Sequence, residues 1–254
     1  MVNYIGLFTL VRRELKRTLM VINQVIWPPV IMTLLFLFIF GLSLGSRIKT
    51  LGGVSYVEFL MPGLVMLNVI SSSYDEASSS IFQHRFMNSI QELLVAPLSY
   101  LELLVGFLTG SVLRGMVIGT LVMLIGALVV HVGPSNIGVY LFFMALTSLL
   151  FSAIGMVGGL LAKTWDNLAI VNTFVITPLT YVGGVFTSLA LLPPFVQRFA
   201  LINPMQYMVD GFRYSYTGSV DISLAADAAV VSGVAAIVLV VAFEMMRRGV
   251  NLRV

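Results

Sequence analysis

Six stretches of this chain stay apolar for long enough to cross a lipid bilayer, and the polar residues collect between them. The first covers residues 22–45. It opens with Trp27, a residue suited to the membrane interface, and with Pro28-Pro29 in the turns where a missing amide donor costs least. The second, 57–77, holds Pro62-Gly63 as a possible bend. Its end is serine-rich (71–80), with Asp75 and Glu76 where the helix should leave the lipid. The third, 101–130, is apolar apart from Glu102 and Arg114. A helix of that length measures about 45 Å against roughly 30 Å of hydrocarbon, so it must tilt or project at its cytoplasmic end. The fourth, 137–161, carries Gly155, Gly158 and Gly159 as a packing surface. The fifth is 168–186, and the sixth, 228–246, is approached past Asp221 and Asp227. No polar stretch is long enough to hold a separate soluble domain. The pattern predicts an all-α polytopic membrane protein folded as one transmembrane domain over 1–254.

Three further segments are amphipathic or broken. Within 1–21, Tyr4, Phe8, Val11, Leu15 and Leu19 share one helical face, and Arg13, Lys16 and Arg17 the other. That is the pattern of a helix lying in the interface with its basic side to anionic headgroups; a plain basic flank orienting the first span is the alternative. Over 82–96, Phe82, Phe86, Ile90, Leu93 and Leu94 fall on one side and His84, Arg85, Asn88 and Glu92 on the other, with Pro97 as the stop. This predicts a cytoplasmic helix of about four turns, resting on the bilayer or docked into a partner's groove. The third segment, 187–215, follows a span that breaks at Gly183-Gly184, then at Pro193-Pro194 and Asn203-Pro204, yet it remains apolar between the breaks. Broken helix at membrane depth must be shielded by protein or line a cavity, so a re-entrant hairpin or interfacial pair of helices is expected, an ordinary external loop being the alternative. Asp210 and Arg213 are spaced to pair on one helical face.

Composition agrees: 59% of residues are hydrophobic and 10% charged, far from the roughly 25% charged of a soluble domain. The net charge of +3 matters less than its placement. Lys and Arg at 12, 13, 16, 17, 85, 163, 247, 248 and 253 fall on one side of a six-span topology, and those at 47, 49, 198 and 213 on the other. The positive-inside rule then puts both termini in the cytoplasm and 187–215 outside. Arg114 lies near mid-membrane and should face protein or a cavity, as a substrate contact or as a structural pair with a carboxylate or helix-end carbonyls. Gly106-x-x-x-Gly110 and Gly115-x-x-x-Gly119 permit close helix contact on the same span.

Several chemistries are disfavoured. With no cysteine there is no thiol catalysis or thiolate metal site. His84 and His131, the two histidines, fall on opposite sides of the membrane, and no His-Glu-x-x-His occurs. There is no Gly-x-x-x-x-Gly-Lys-Ser/Thr loop, no cleavable signal pattern and no basic patch of the nucleic-acid kind. Carboxylates near the bilayer midplane are few, which argues against a proton-driven carrier. The chain is expected to catalyse nothing and to hold no cofactor.

The stretches FLMPGLVMLNVI (59–70), FQHRFMNSIQELLVAPLSY (82–100), the loop 163–167 and the long broken segment together resemble the type-2 ABC transporter permeases, membrane subunits of bacterial exporters of drugs, polysaccharides and lipids. Gly183, Gly184, Pro193, Pro194, Asn203, Pro204, Tyr207 and Arg213 look like that family's C-terminal signature. The resemblance covers nearly the whole chain. It implies that 82–96 is a coupling helix docking a separate ATP-binding subunit through Phe82, Arg85, Phe86, Ile90, Glu92 and Leu93. It implies further that 1–21 flanks that dock, and that 188–202 forms external re-entrant helices. Implied partners are a second copy or related permease, separate ATPases carrying ATP and Mg, and membrane lipids, in a bacterial inner membrane. An ion-driven carrier and a membrane scaffold are the competing readings.

Overall fold

The computed structural model describes residues 3–44, 50–51 and 54–252. Arg47, Lys49, Gly52, Gly53 and Arg253 lie outside the described residues. Helix α1 (Tyr4–Met20) leads into α2 (Ile22–Phe36), which widens into π-type turns over Leu37–Leu44. A two-residue antiparallel pair, β1 (Thr50–Leu51) and β2 (Val54–Ser55), precedes α3 (Tyr56–Phe86). Then come α4 (Ile90–Val95), α5 (Tyr100–Val129) and α6 (Ile137–Leu161). Helices α7 (Trp165–Val171) and α8 (Thr177–Thr180) are parts of one interrupted span, with π-type turns at Asn172–Ile176 and Tyr181–Val185. Short α9 (Pro194–Ile202), α10 (Pro204–Thr217) and the last span α11 (Leu224–Arg247) complete the chain. Among the described residues, six helices are long and apolar enough to span a membrane, and the protein is an all-α polytopic membrane protein.

Helix α3 is the axis of the bundle. Leu60, Leu64, Val65, Val69 and Ile70 are wholly buried, with α5 and α6 packed along it. Glycines set the closeness of that packing. A Cβ at Gly155 would stand 2.5 Å from the Tyr74 carbonyl oxygen, and one at Gly159 2.6 Å from that of Ser78, so α6 lies backbone-to-backbone on α3. The glycines of α5 divide the work. Gly115 and Gly119 admit Ser73 and Val69 of α3, whereas Gly106 and Gly110 admit Leu10 and Glu14 of α1. Helix α1 thus runs beside the first half of α5, in the same direction. Tyr4, Phe8 and Leu19 remain exposed on the far side, as an apolar face toward lipid would be, while Leu10 and Glu14 are buried.

Two elements differ from expectation. The helix that carries the second span does not stop at residue 77. It runs on to Phe86, because the serines in this stretch bond back to the helix (Ser78 to the Asp75 carbonyl, 3.3 Å; Ser79 to that of Glu76, 3.2 Å) and the Glu76 charge is met by cations. Consequently 82–96 is not one helix. Asn88 turns left-handed at φ 57°, a conformation asparagine tolerates, and separates the end of α3 from α4. His84, expected on the wet face, is buried against Glu14 instead.

The polypeptide ends and connections sort to two poles. At one pole Arg85 donates to the carbonyls of Gly159 (2.6 Å), Ala162 (3.0 Å) and Asn251 (2.8 Å), and Asn251 donates to that of Leu160 (2.9 Å). Asn3 reaches the Pro97 carbonyl there as well (3.1 Å). At the other pole the α5–α6 turn meets the end of α10, with Ser135 and Asn136 amides donating to the Ser215 carbonyl at 2.7 and 3.0 Å.

The broken segment is built from its punctuation. Gly184 adopts φ 86° and ends the fifth span. Pro194 and Pro204 each open a helix in the first turn, and Asn203 caps α10 by accepting from the Met205 amide (3.0 Å) while donating to the Leu179 carbonyl (2.6 Å). Tyr207 donates to the Leu201 carbonyl (2.8 Å). The expected Asp210–Arg213 ion pair does not form. Asp210 accepts the amides of Asp221 (2.9 Å) and Ile222 (3.0 Å), because the chain turns back over the end of α10. Arg213 is drawn instead to the Gly184 and Phe59 carbonyls, its guanidinium 3.7 Å from the Phe59 ring centre. Asp227, expected to flank the last span, lies inside α11 and is buried.

If Gly110 seats α1, then Gly110→Leu pushes Glu14 out of its groove. Overpacking of this kind costs about 1–3 kcal/mol. Thermal unfolding in detergent is expected to show the loss for Gly110→Leu and none for Gly133→Ala, where no atom lies within 4 Å of the added Cβ.

Candidate functional site

The side chains with chemistry gather where α1, α3 and α5 meet. Glu76 of α3 accepts from Arg17 Nη2 (2.6 Å), from Thr18 Oγ1 (2.7 Å) and from Arg114 Nη1. Arg17 extends toward Glu14 as well (3.3 Å), and Glu14 is held by His84 Nε2 (3.1 Å) and by the Ser80 hydroxyl. Glu14 and Glu76 are 1% and 2% exposed. Two buried carboxylates are therefore balanced by two guanidiniums across three helices, the arrangement that makes buried charge tolerable.

Burial works against ionisation of Glu14, but the His84 hydrogen bond, the Arg17 charge and the Ser80 hydroxyl outweigh it and hold the Glu14 pKa below its ordinary value. A lowered carboxylate pKa contributes stability above the ordinary range and loses it as the pH falls through the lowered value. At the opposite pole, burial lowers the Arg213 pKa to about 10, with Asp210 and Asp221 partly offsetting it.

Beside this network lies a cavity of about 290 Å³ between α2, α3 and the fifth span. Gln24, Asn68, Ser71, Ser72, Asp75 and Arg114 supply its polar wall; Pro28, Met32 and Phe36 supply apolar wall. Asp75 accepts from Asn172 of the fifth span (2.6 Å). Arg114 is thus paired with Glu76, and the same side chain lines the cavity.

The docking candidates separate. Phe82 and Ile90 are each 4% exposed, packed inside the fold, and Arg85 is spent on the carbonyls at the end of α6. Phe86, Met87 and Val95 are 68%, 65% and 87% exposed, Glu92 is exposed and Leu93 half-buried. The outward apolar surface of this pole therefore lies at the break between α3 and α4. Of the broken-segment residues, Gly183, Gly184, Asn203 and Arg213 converge at the opposite pole, where a Cβ on Gly183 would meet that of Met205 at 2.9 Å.

Sequence reasoning did not single out Glu14. Its signal was a lone acid within Arg12-Arg13-Glu14-Leu15-Lys16-Arg17, one turn beyond Leu10 and facing a Gly-x-x-x-Gly groove of equal spacing.

A sequence profile of the ABC-2 type transporter matches residues 6–217, a stretch holding the network, the cavity and the broken segment. The chain belongs to that family. This ABC-2 permease is 40% identical, over 98% of both chains, to the inner membrane transport permease YadH of Escherichia coli strain K12. It is 26% identical to nodulation protein J of Neorhizobium galegae, over 73% of this chain and 71% of the other. A similar likeness, 26% over 70% of this chain and 68% of the other, holds for nodulation protein J of Bradyrhizobium diazoefficiens. As a permease of this family it is a non-catalytic transport subunit of an ABC transporter.

Removing one partner of a buried ion pair strands the other at a cost of about 3–5 kcal/mol. Arg114→Leu is expected near the lower end, since Arg17 still reaches Glu76. Glu76→Gln combined with Arg114→Leu is expected to cost less than Arg114→Leu alone, read as unfolding free energy in mixed micelles. Equal or greater loss in the double variant would refute a mutually compensating pair.

Proposed function

We propose that this permease is the membrane half of an ATP-driven exporter of the inner membrane. Two copies, or one copy with a related permease, enclose the pathway, and separate ATP-binding subunits carry ATP and Mg. The observation that carries this reading is the family match together with near full-length likeness to a protein named an inner membrane transport permease. Both termini face the cytoplasm, in keeping with the nine Lys and Arg assigned to that side against four on the other. The substrate is amphiphilic, a drug, lipid or polysaccharide. In support, the polar cavity between α2, α3 and the fifth span has apolar wall beside Asp75 and Arg114.

Coupling works through the α3–α4 break. An ATPase groove closes on Phe86, Met87, Leu93 and Val95, with Glu92 at the rim, and pulls on the end of α3, the axis of the bundle. Helix α1 flanks this dock, and the network transmits its displacement to α5. Helices α9 and α10 form the external re-entrant segment, with Phe195, Phe199 and Ile202 outward.

Affinity purification of the tagged permease tests the reading. The wild type is expected to bring down a P-loop ATPase. Phe86→Asp with Val95→Asp removes two exposed anchors, together worth at least about 1.4 kcal/mol, and is expected to lower recovery at least about tenfold. Phe195→Asp at the other pole is expected to keep it. Wild-type permease with no nucleotide-binding companion would contradict the proposal.

A further inference from the structure

At the pole that carries α4, a cavity of about 430 Å³ opens between α1 and the end of α3. Its wall includes Arg12, Arg13, Lys16 and Arg17 from one side, and His84 and Ser89 from the other. Arg17 is committed to Glu14 and Glu76. Among the described residues, Arg12, Arg13 and Lys16 form no ion pair, and all three are exposed. Arg12 with Lys16, and Arg13 with Arg17, are like charges four apart on one helix, a spacing that repels. The polar side chains converge: Arg13 Nη2 stands 3.5 Å from His84 Nδ1, which is 2.8 Å from the Ser89 hydroxyl. Forked guanidiniums around a concave site match the oxygens of a phosphate group.

The surroundings distinguish a lipid phosphate from a free one. Met20 adds apolar wall to the same cavity, and Met20 and Leu19 are 71% and 62% exposed. The apolar face of α1 (Tyr4, Phe8, Leu19) continues beside the basic stripe, so acyl chains can lie along the helix while the headgroup enters the cavity. We propose that this cavity binds the phosphate headgroup of an anionic membrane lipid and thereby clips α1 to the α3–α4 break.

The test uses the intact permease in nanodiscs of phosphatidylglycerol or of phosphatidylcholine, with retained lipid counted by native mass spectrometry. The wild type is expected to keep phosphatidylglycerol in preference to phosphatidylcholine. Arg12→Gln, Arg13→Gln, Lys16→Gln together should cut that retention at least tenfold, and Arg12→Lys with Arg13→Lys, which keep the charge but lose the fork, should cut it less. Should the triple variant fail to fold, Arg12→Gln alone, at an exposed position, should weaken retention several-fold. Undiminished retention in the charge-removed variants, or no preference between the two lipids, would overturn the proposal. Thermal stabilisation by inorganic phosphate equal to that by phosphatidylglycerol would assign the cavity to free anions instead. Loss of the ATPase companion with lipid retention intact would make it a protein-docking surface, and either result would refute the lipid site.

Discussion

A carboxylate taken out of water inside a membrane protein has to be neutralised, and much of this fold is arranged around doing that for Glu76. Its partners come from two other helices: Arg17 and Thr18 from α1, and Arg114 from α5. The charge is compensated only while all three helices are in register. This is why α3 can continue as one helix past Asp75 and Glu76 to Phe86. It also packs α1 into the helix bundle. A helix held by a buried Glu14–His84 contact and an Arg17–Glu76 pair is a structural member, not a passive float on the interface.

The ion network would not close without close helix approach. Gly106 and Gly110 let α1 lie against α5, and Gly115 and Gly119 let α5 lie against α3. The same device on α6 brings its backbone onto Tyr74 and Ser78. Backbone proximity and charge compensation thus support each other: the glycines bring the guanidiniums within reach, and the ion pairs hold the glycine contacts closed. At the other pole the interruptions have a comparable division of labour. Gly184 breaks the span, Arg213 takes up its freed carbonyl, and Asn203-Pro204 starts the next helix.

The spans were legible because hydrophobic length is a strong signal that lipid enforces along each helix separately. The breaks were legible for the same reason, since Gly183-Gly184 and Asn203-Pro204 are local backbone chemistry. What the sequence concealed is tertiary. Asp75 and Glu76 read locally as two solvent-seeking acids, and their spacing gives no hint that Arg17, 59 positions away, meets one of them. The periodicity over 82–96 fits a single amphipathic helix, but the wheel places His84 toward water, whereas Glu14 draws it inward. Asp210 and Arg213 have ion-pair spacing, yet backbone amides from residues 221 and 222 satisfy the aspartate. In each case a partner distant in the chain overrode a local pattern.

The central claim is that buried charge pairing makes α1 integral to the bundle. Hydrogen exchange of the α1 amides in lipid nanodiscs tests it most directly. The account predicts that residues 10–18 of the wild type are protected to the extent of the neighbouring stretch of α5, and that Glu76→Gln speeds their exchange while leaving α6 unchanged. Exchange of α1 that is fast in the wild type, or indifferent to Glu76→Gln, would contradict it.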